Sequence, residues 1–143
     1  MMKFFGGTSN PALTQKVCNY LGTEPGKITT KKFSDGETLV VKHYPNSFRE
    51  TGLLEILQQA GIDSLVICGA MSHMCIDATT RAAADLSFEC IVVADACATR
   101  DLQFGRDTIP AGQVHGAFMT ALGAAYARVT TLDELSREIQ IES

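Results

Sequence analysis

The chain has 143 residues, enough for one domain with a core of its own. Hydrophobic residues supply 45% and charged residues 20%, a balance that excludes the disordered and fibrous classes. The net charge of −4 argues against nucleic acid as a partner, and no apolar run approaches the roughly 20 residues of a membrane helix.

The start, Met-Met-Lys-Phe-Phe-Gly-Gly, lacks the apolar segment of a secretion signal. The five cysteines, Cys18, Cys68, Cys75, Cys90 and Cys97, are odd in number and form no CxxC pair. Neither a disulfide framework nor a zinc site is expected. Cys68 and Cys90 lie in apolar runs and read as small buried hydrophobes. Free thiols imply a reducing compartment, the cytoplasm.

Residues 3–6 read as a short strand, and Asn10-Pro11 opens a helix that Gly22 ends. Ile28 to Phe33 is extended, and Ser34-Asp35-Gly36 turns. Leu39 to Lys42 reads as the next strand. Thr51 or Ser47 caps a helix through about Ala60, closed by Gly61. Ser64 to Cys68 is a buried strand, followed by a helix with Ile76, Thr79, Ala83 and Leu86 on its apolar face. Glu89 to Ala94 is another buried strand, and Asp95 to Pro110 a long polar connection. Gln113 to Tyr126 is an Ala-rich helix, Arg128 to Thr130 a short strand, and Thr131 caps a last helix from Leu132 to Ile139. Such alternation predicts an α/β fold with a mainly parallel sheet.

The chemistry concentrates at Gly69-Ala-Met-Ser-His-Met-Cys75. Cys75 falls where a parallel strand has ended and a helix begins. Ligands of open α/β sheets bind at the carboxyl ends of strands. Backbone N–H groups at a helix start favour a thiolate. Placement therefore makes Cys75 a candidate nucleophile. A composition shift marks the front of the chain: its basic residues before position 39 are Lys3, Lys16, Lys27, Lys31 and Lys32, whereas six arginines and the single lysine Lys42 follow.

Residues 39–143 resemble the isochorismatase-like cysteine hydrolases. The resemblance rests on Val41-Lys42 with Ser47-Phe48, Thr51-Gly-Leu-Leu, Gly61-Ile-Asp, the Gly69-to-Cys75 spacing, and Val92-Val-Ala-Asp-Ala96. Residues 2–38 are similar instead to the start of ribose-phosphate pyrophosphokinases, through Met2-Lys-Phe-Phe-Gly-Gly-Thr-Ser-Asn-Pro-Ala-Leu13 and Lys31-Lys-Phe-Ser-Asp-Gly-Glu37. In that family the Phe-Ser-Asp-Gly-Glu turn helps to hold ATP at a subunit interface. The chain thus reads as a fusion with its seam near Gly36-Glu37-Thr38. The fold the resemblance implies is a three-layer α-β-α domain with a mainly parallel sheet, isochorismatase-like, truncated at its N-terminus and preceded by a foreign β-α-β piece.

The hydrolase resemblance implies roles. Cys75 matches the nucleophile that attacks an amide or related carbon. The backbone N–H groups of Met71 and Cys75 match the oxyanion hole, with a cis peptide expected between Ala70 and Met71. Lys42 matches the family lysine, which favours the thiolate; the alternative is a solvated surface lysine. The family's general-base aspartate would precede residue 39, where this chain has no matching carboxylate; Asp35 and Glu37 are merely the nearest acids in sequence. Phe48 and His73 are candidates for a substrate pocket, against core packing and a solvent-facing loop respectively. His115 is a rival proton shuttle for Cys75 or an ordinary helix histidine. Asp95 reads as a local turn residue. The metal-binding cluster of the nicotinamidase branch is missing, so no metal or cofactor is expected. True isochorismatases often lack the cysteine, so its presence points to C–N hydrolysis. The expected partners are a small-molecule substrate and further copies of the chain in a homo-oligomer, with no nucleic acid and no membrane.

Overall fold

The computed structural model describes residues 39–141. The elements read before residue 39, and the kinase-like fragment with them, lie outside the described residues. Three parallel strands form the sheet: β1 (Ser64–Ala70), β2 (Glu89–Ala98) and β5 (Arg128–Thr130), in the order β1-β2-β5. Two short strands, β3 (Leu102–Phe104) and β4 (Asp107–Ile109), make a separate antiparallel hairpin. The helices are α1 (Leu53–Gln59), α2 (Asp77–Asp85), α3 (Ala111–Ala125) and α4 (Leu132–Ile141), with a π-helical turn at Ser72–Ile76 just ahead of α2. No described helix is long and apolar enough to cross a membrane.

Strand alternation separates the layers. Leu65 and Ile67 of β1, with Cys90 and Val92 of β2, face the helices α1 to α3, where Leu57, Ala83 and Leu122 are buried. Val66 and Cys68, with Ile91 and Val93, face α4 through Leu132 and Leu135. The expected three-layer α/β architecture is thus the observed one. A side chain as deeply buried as Leu57 contributes about 1.5–3 kcal/mol by leaving water.

Helix ends follow local chemistry. Gly61 takes a left-handed φ of 63°, and the N–H groups of Gly61 and Ile62 return to the carbonyls of Gln58 and Leu57, closing α1 in a Schellman turn. Gly52 sits at the α1 N-cap, and Thr51 serves from one residue earlier: its Oγ1 accepts the Leu53 N–H at 3.3 Å. At α4, Thr131 Oγ1 accepts the Glu134 N–H while Glu134 Oε2 accepts the Thr131 N–H, a reciprocal capping box. These bonds, led by that backbone N–H, hold the Glu134 carboxyl below its ordinary range.

Three expectations need correction. Residues 39–42 form no strand, because a strand needs a ladder partner and none of the described strands pairs with this segment. Instead the chain bends at once, and Lys42 Nζ donates to its own downstream carbonyls at Tyr44 (3.0 Å) and Pro45 (2.9 Å). The 95–110 stretch is no plain polar connection. β2 continues to Ala98, and β3–β4 turns back through Gly105-Arg106, with Gly105 at φ 64°. Asp95 is not a local turn residue either. The β1–β2 register shifts between Ile67, paired with Val92, and Gly69, paired with Cys97. This bulge turns Asp95 outward, where its Oδ1 accepts the Leu132 N–H at 2.9 Å and caps α4 from 37 residues away. Asp101 does the same for α3, accepting the Ala111 N–H at 2.7 Å.

Candidate active site

The site builds outward from the carboxyl end of β1. Gly69 has φ 126°, a conformation that side-chain-bearing residues rarely adopt. A Cβ there would lie 3.8 Å from Ile76 Cδ1, an ordinary contact, so backbone conformation rather than space selects glycine. The next peptide bond but one, Ala70–Met71, is cis. The chain then enters the π-helical turn, not an α-helix, and Cys75 lies inside it.

That turn changes the account of backbone donors. The Met71 carbonyl accepts the N–H groups of Met74 (3.0 Å) and Ile76 (3.3 Å), and not that of Cys75 between them. The Asp77 N–H reaches back five residues to the Ser72 carbonyl. A wider turn of this kind is typical of functional sites within helices. Cys75 is a free, half-buried thiol, and among the described residues its Sγ has no hydrogen-bonding partner.

Side chains tie the turn to β2 and α3. Ser72 is fully buried; its Oγ lies 2.9 Å from His115 Nδ1 and 3.4 Å from the Ala98 carbonyl. His73 Nδ1 lies 2.6 Å from Thr99 Oγ1, and its ring meets the edge of Phe118 with centroids 6.1 Å apart. His115 thus meets Ser72 through Nδ1, and among the described residues no hydrogen bond joins it to Cys75. The sequence reading missed Ser72 because serine in a loop is unremarkable until its burial is known.

The Lys42 segment reaches the same helix by another route. Thr79, four residues beyond Cys75, donates its hydroxyl to the Pro45 carbonyl at 3.2 Å. It lies 3.1 Å from the Ser47 N–H and 3.0 Å from Ser47 Oγ. Pro45 O also accepts from Lys42 Nζ, so one carbonyl joins lysine and helix. Thr79 was expected on the apolar face; that place belongs to Thr80, and Leu86, past the helix end, is 41% exposed. Phe48 stacks on Phe88 with centroids 6.0 Å apart and packs against the cluster of Leu53 and Leu57. The packing alternative for Phe48 thus has its contact.

Electrostatics separate the cysteines. Burial, reinforced by Cys68 and Asp95, pushes the Cys97 thiol up to about 12 despite the Gly69 N–H. Burial, with Glu89 nearby, also raises Cys90. Both stay protonated thiols at neutral pH. Asp77, two residues after Cys75, is held by Arg81 at 2.9 Å, and that hydrogen bond raises the Arg81 guanidinium further. Among the described residues no cluster of three or more His, Cys, Asp or Glu could hold a metal ion.

A model of the Isochorismatase domain family matches residues 13–134. The YddQ protein of Bacillus subtilis, itself described as an isochorismatase family protein, is 54% identical over 97 residues, covering 68% of this chain and 54% of YddQ. Streptothricin hydrolase of Streptomyces noursei is 38% identical over 90 residues, covering 61% of this chain and 33% of that enzyme. Among solved structures, an isochorismatase from Pseudomonas putida superposes with a TM-score of 0.66 at 41% identity, covering 68% of this chain and 50% of the other. N-carbamoylsarcosine amidase from Thermoplasma acidophilum gives 0.55 at 28% identity, covering 68% and 50%. A chloroplastic ribose-phosphate pyrophosphokinase of Oryza sativa is 51% identical over 39 residues, covering 27% of this chain and 10% of the kinase. The chain spans only about a third to a half of the hydrolase relatives it matches. With the family model covering most of its length, the chain belongs to the isochorismatase-like hydrolase family.

Proposed function

We propose that the chain carries the nucleophilic half of a cysteine hydrolase for C–N bonds of a small molecule. The observation that carries the reading is the π-helical turn, in which the Met71 carbonyl passes over the Cys75 N–H beside a half-buried free thiol. In the proposed reaction the Cys75 thiolate attacks the amide carbon, and the carbonyl electron pair moves onto oxygen. The N–H groups of Met71 and Cys75 receive that oxyanion. Collapse breaks the C–N bond, the amine leaves with the proton that the Cys75 thiol gave up, and a thioester remains. Water then releases the carboxylic acid and restores the thiol. The Lys42 ammonium favours the thiolate in this scheme. Streptothricin hydrolase and N-carbamoylsarcosine amidase, by their names, make C–N substrates the first to try. His73 is the candidate pocket wall.

A second reading is a folded chain without turnover. It is favoured by Lys42 Nζ being spent on two carbonyls and by the absence, among the described residues, of a carboxylate bonded to Cys75. The two readings separate in one experiment. The rate of Cys75 labelling by iodoacetamide at neutral pH is compared with a model thiol, alongside ammonia release from N-carbamoyl amino acids and small primary amides. Fast, saturable labelling with ammonia release supports the hydrolase. Labelling at the model rate with no release supports the inactive scaffold.

The fusion forms part of the same proposal. A kinase-like start over residues 2–38 would stand in the sequence where the family carries its general-base aspartate. Sequencing the surrounding gene tests it: a single frame that passes from kinase-like to hydrolase-like sequence near residues 36–38 supports the seam, and an unbroken kinase reading frame ahead of the chain overturns it. Homo-oligomerisation, a further part of this reading, is checked by light scattering on the purified chain.

A further inference from the structure

We infer that His115 is a positioning residue for the oxyanion-binding turn, acting through Ser72; the inference rests on the hydrolase reading above. Ser72 follows Met71 directly and opens the turn that contains Cys75. Its side chain is wholly cut off from water, so its hydroxyl must find protein partners. It has two: the Ala98 carbonyl at 3.4 Å and His115 Nδ1 at 2.9 Å. The shorter contact is to the imidazole, from a different helix. An imidazole nitrogen suits this position because it serves either way. A neutral ring with a bare Nδ1 accepts the serine proton. A ring with Nδ1–H donates to Oγ, and the hydroxyl then turns to Ala98. The turn is held in each case, and with it the directions of the Met71 and Cys75 N–H groups on either side of Ser72.

The consequence is specific to reactions that build negative charge on oxygen. A small aldehyde adds reversibly to a thiolate: an S–C bond forms, the C=O pair moves to oxygen, and that oxygen occupies the place of the oxyanion. Alkylation by iodoacetamide forms an S–C bond at a CH₂ and expels iodide, with no oxyanion. Misaligned N–H donors penalise the first and spare the second.

The test uses the full chain and compares wild type with His115→Ala, His115→Asn and Ser72→Ala, using acetaldehyde affinity and iodoacetamide labelling of Cys75 as readouts. Thermal unfolding selects variants that remain folded. In His115→Ala the aldehyde affinity is expected to fall by up to on the order of 10²-fold, the scale of losing one oxyanion donor, while alkylation stays within about twofold. His115→Asn, whose amide presents a donor or an acceptor near the Nδ1 position, restores most of the aldehyde affinity. A purely structural histidine would lower both readouts together or neither, and either pattern overturns the inference. If wild type itself forms no aldehyde adduct, the hydrolase reading fails first, and the positioning role falls with it. If wild type binds and His115→Ala binds equally well, only the positioning role fails.

Discussion

The turn after β1 and the strap at residues 39–52 bring chemistry to one helix in opposite ways. The turn is contiguous: Gly69, Met71, Ser72 and Cys75 follow one another, and backbone conformation fixes where each points. The strap has no ladder of its own among the described residues. It is tied to α2 by the Thr79 hydroxyl, which uses its one proton on Pro45 O and its lone pairs on Ser47, and to the core by Phe48. A nucleophile built from consecutive residues can outlast the loss of its neighbours, whereas a partner lysine depends on a few side-chain bonds. On the proposed reading, the nucleophile and its helper lysine are held by separate parts of the chain.

The largest effect that could break this contrast is at the nucleophile. Cys75→Ala is expected to abolish amide hydrolysis, a loss of at least about 10³-fold, with the unfolding midpoint little changed. Retained ammonia release would move the chemistry elsewhere. Lys42→Ala comes next. If the strap delivers a working ammonium, Cys75 labelling at neutral pH slows by about tenfold or more. An unchanged rate would mean that the lysine serves only Tyr44 and Pro45. Thr79→Val sharpens the same question, since it removes the strap's hydrogen bonds to α2 without touching Lys42. It is expected to cost about 1–3 kcal/mol in denaturant unfolding and to slow labelling in parallel with Lys42→Ala.

A last test separates Cys97 from Cys75. The folded chain holds the Cys97 thiol near 12, against 9.0 for an unperturbed thiol. Between those values the folded state keeps a proton that the unfolded state releases. The contribution is complete below about pH 9 and is lost as pH rises towards 12. The denaturant midpoint should fall over that range, and Cys97→Ala should flatten the fall. A slope unchanged in that variant would assign it to other groups.

What the sequence discloses is what lies close together along it. β1, the start of β2 and the Gly69–Cys75 turn were legible because apolar runs and a glycine-marked exit are local signals. The same holds for the Gly61 stop and the Thr131 cap. The π-helical form of the turn was not legible, since spacings of three and four residues leave the hydrogen-bond pattern open. The β3–β4 hairpin was hidden because Gly105-Arg106 is a weaker turn signal than Asn-Gly and the strands are only three residues each. Leu39 to Lys42 looked like a strand by composition, but pairing decides strands, and pairing is long-range. Asp95 was misread and Ser72 passed over for one reason: their partners lie 37 and 43 residues away.

The irregular end of β2 has a consequence for how this chain tolerates change in length. Within seven residues it supplies the α4 cap from Asp95, the Ser72 acceptor from Ala98, the His73 partner from Thr99 and the α3 cap from Asp101. Much of this stretch is polar and reads as permissive surface. Yet each contact depends on counting residues from the bulge, because a one-residue slip in a strand exchanges its two faces. A single deletion between Val93 and Ala98 would misdirect two helix starts and two bonds of the Cys75 turn at once. The segment that looks most editable is therefore the least tolerant of a frame change, while substitutions at its exposed positions remain affordable one at a time.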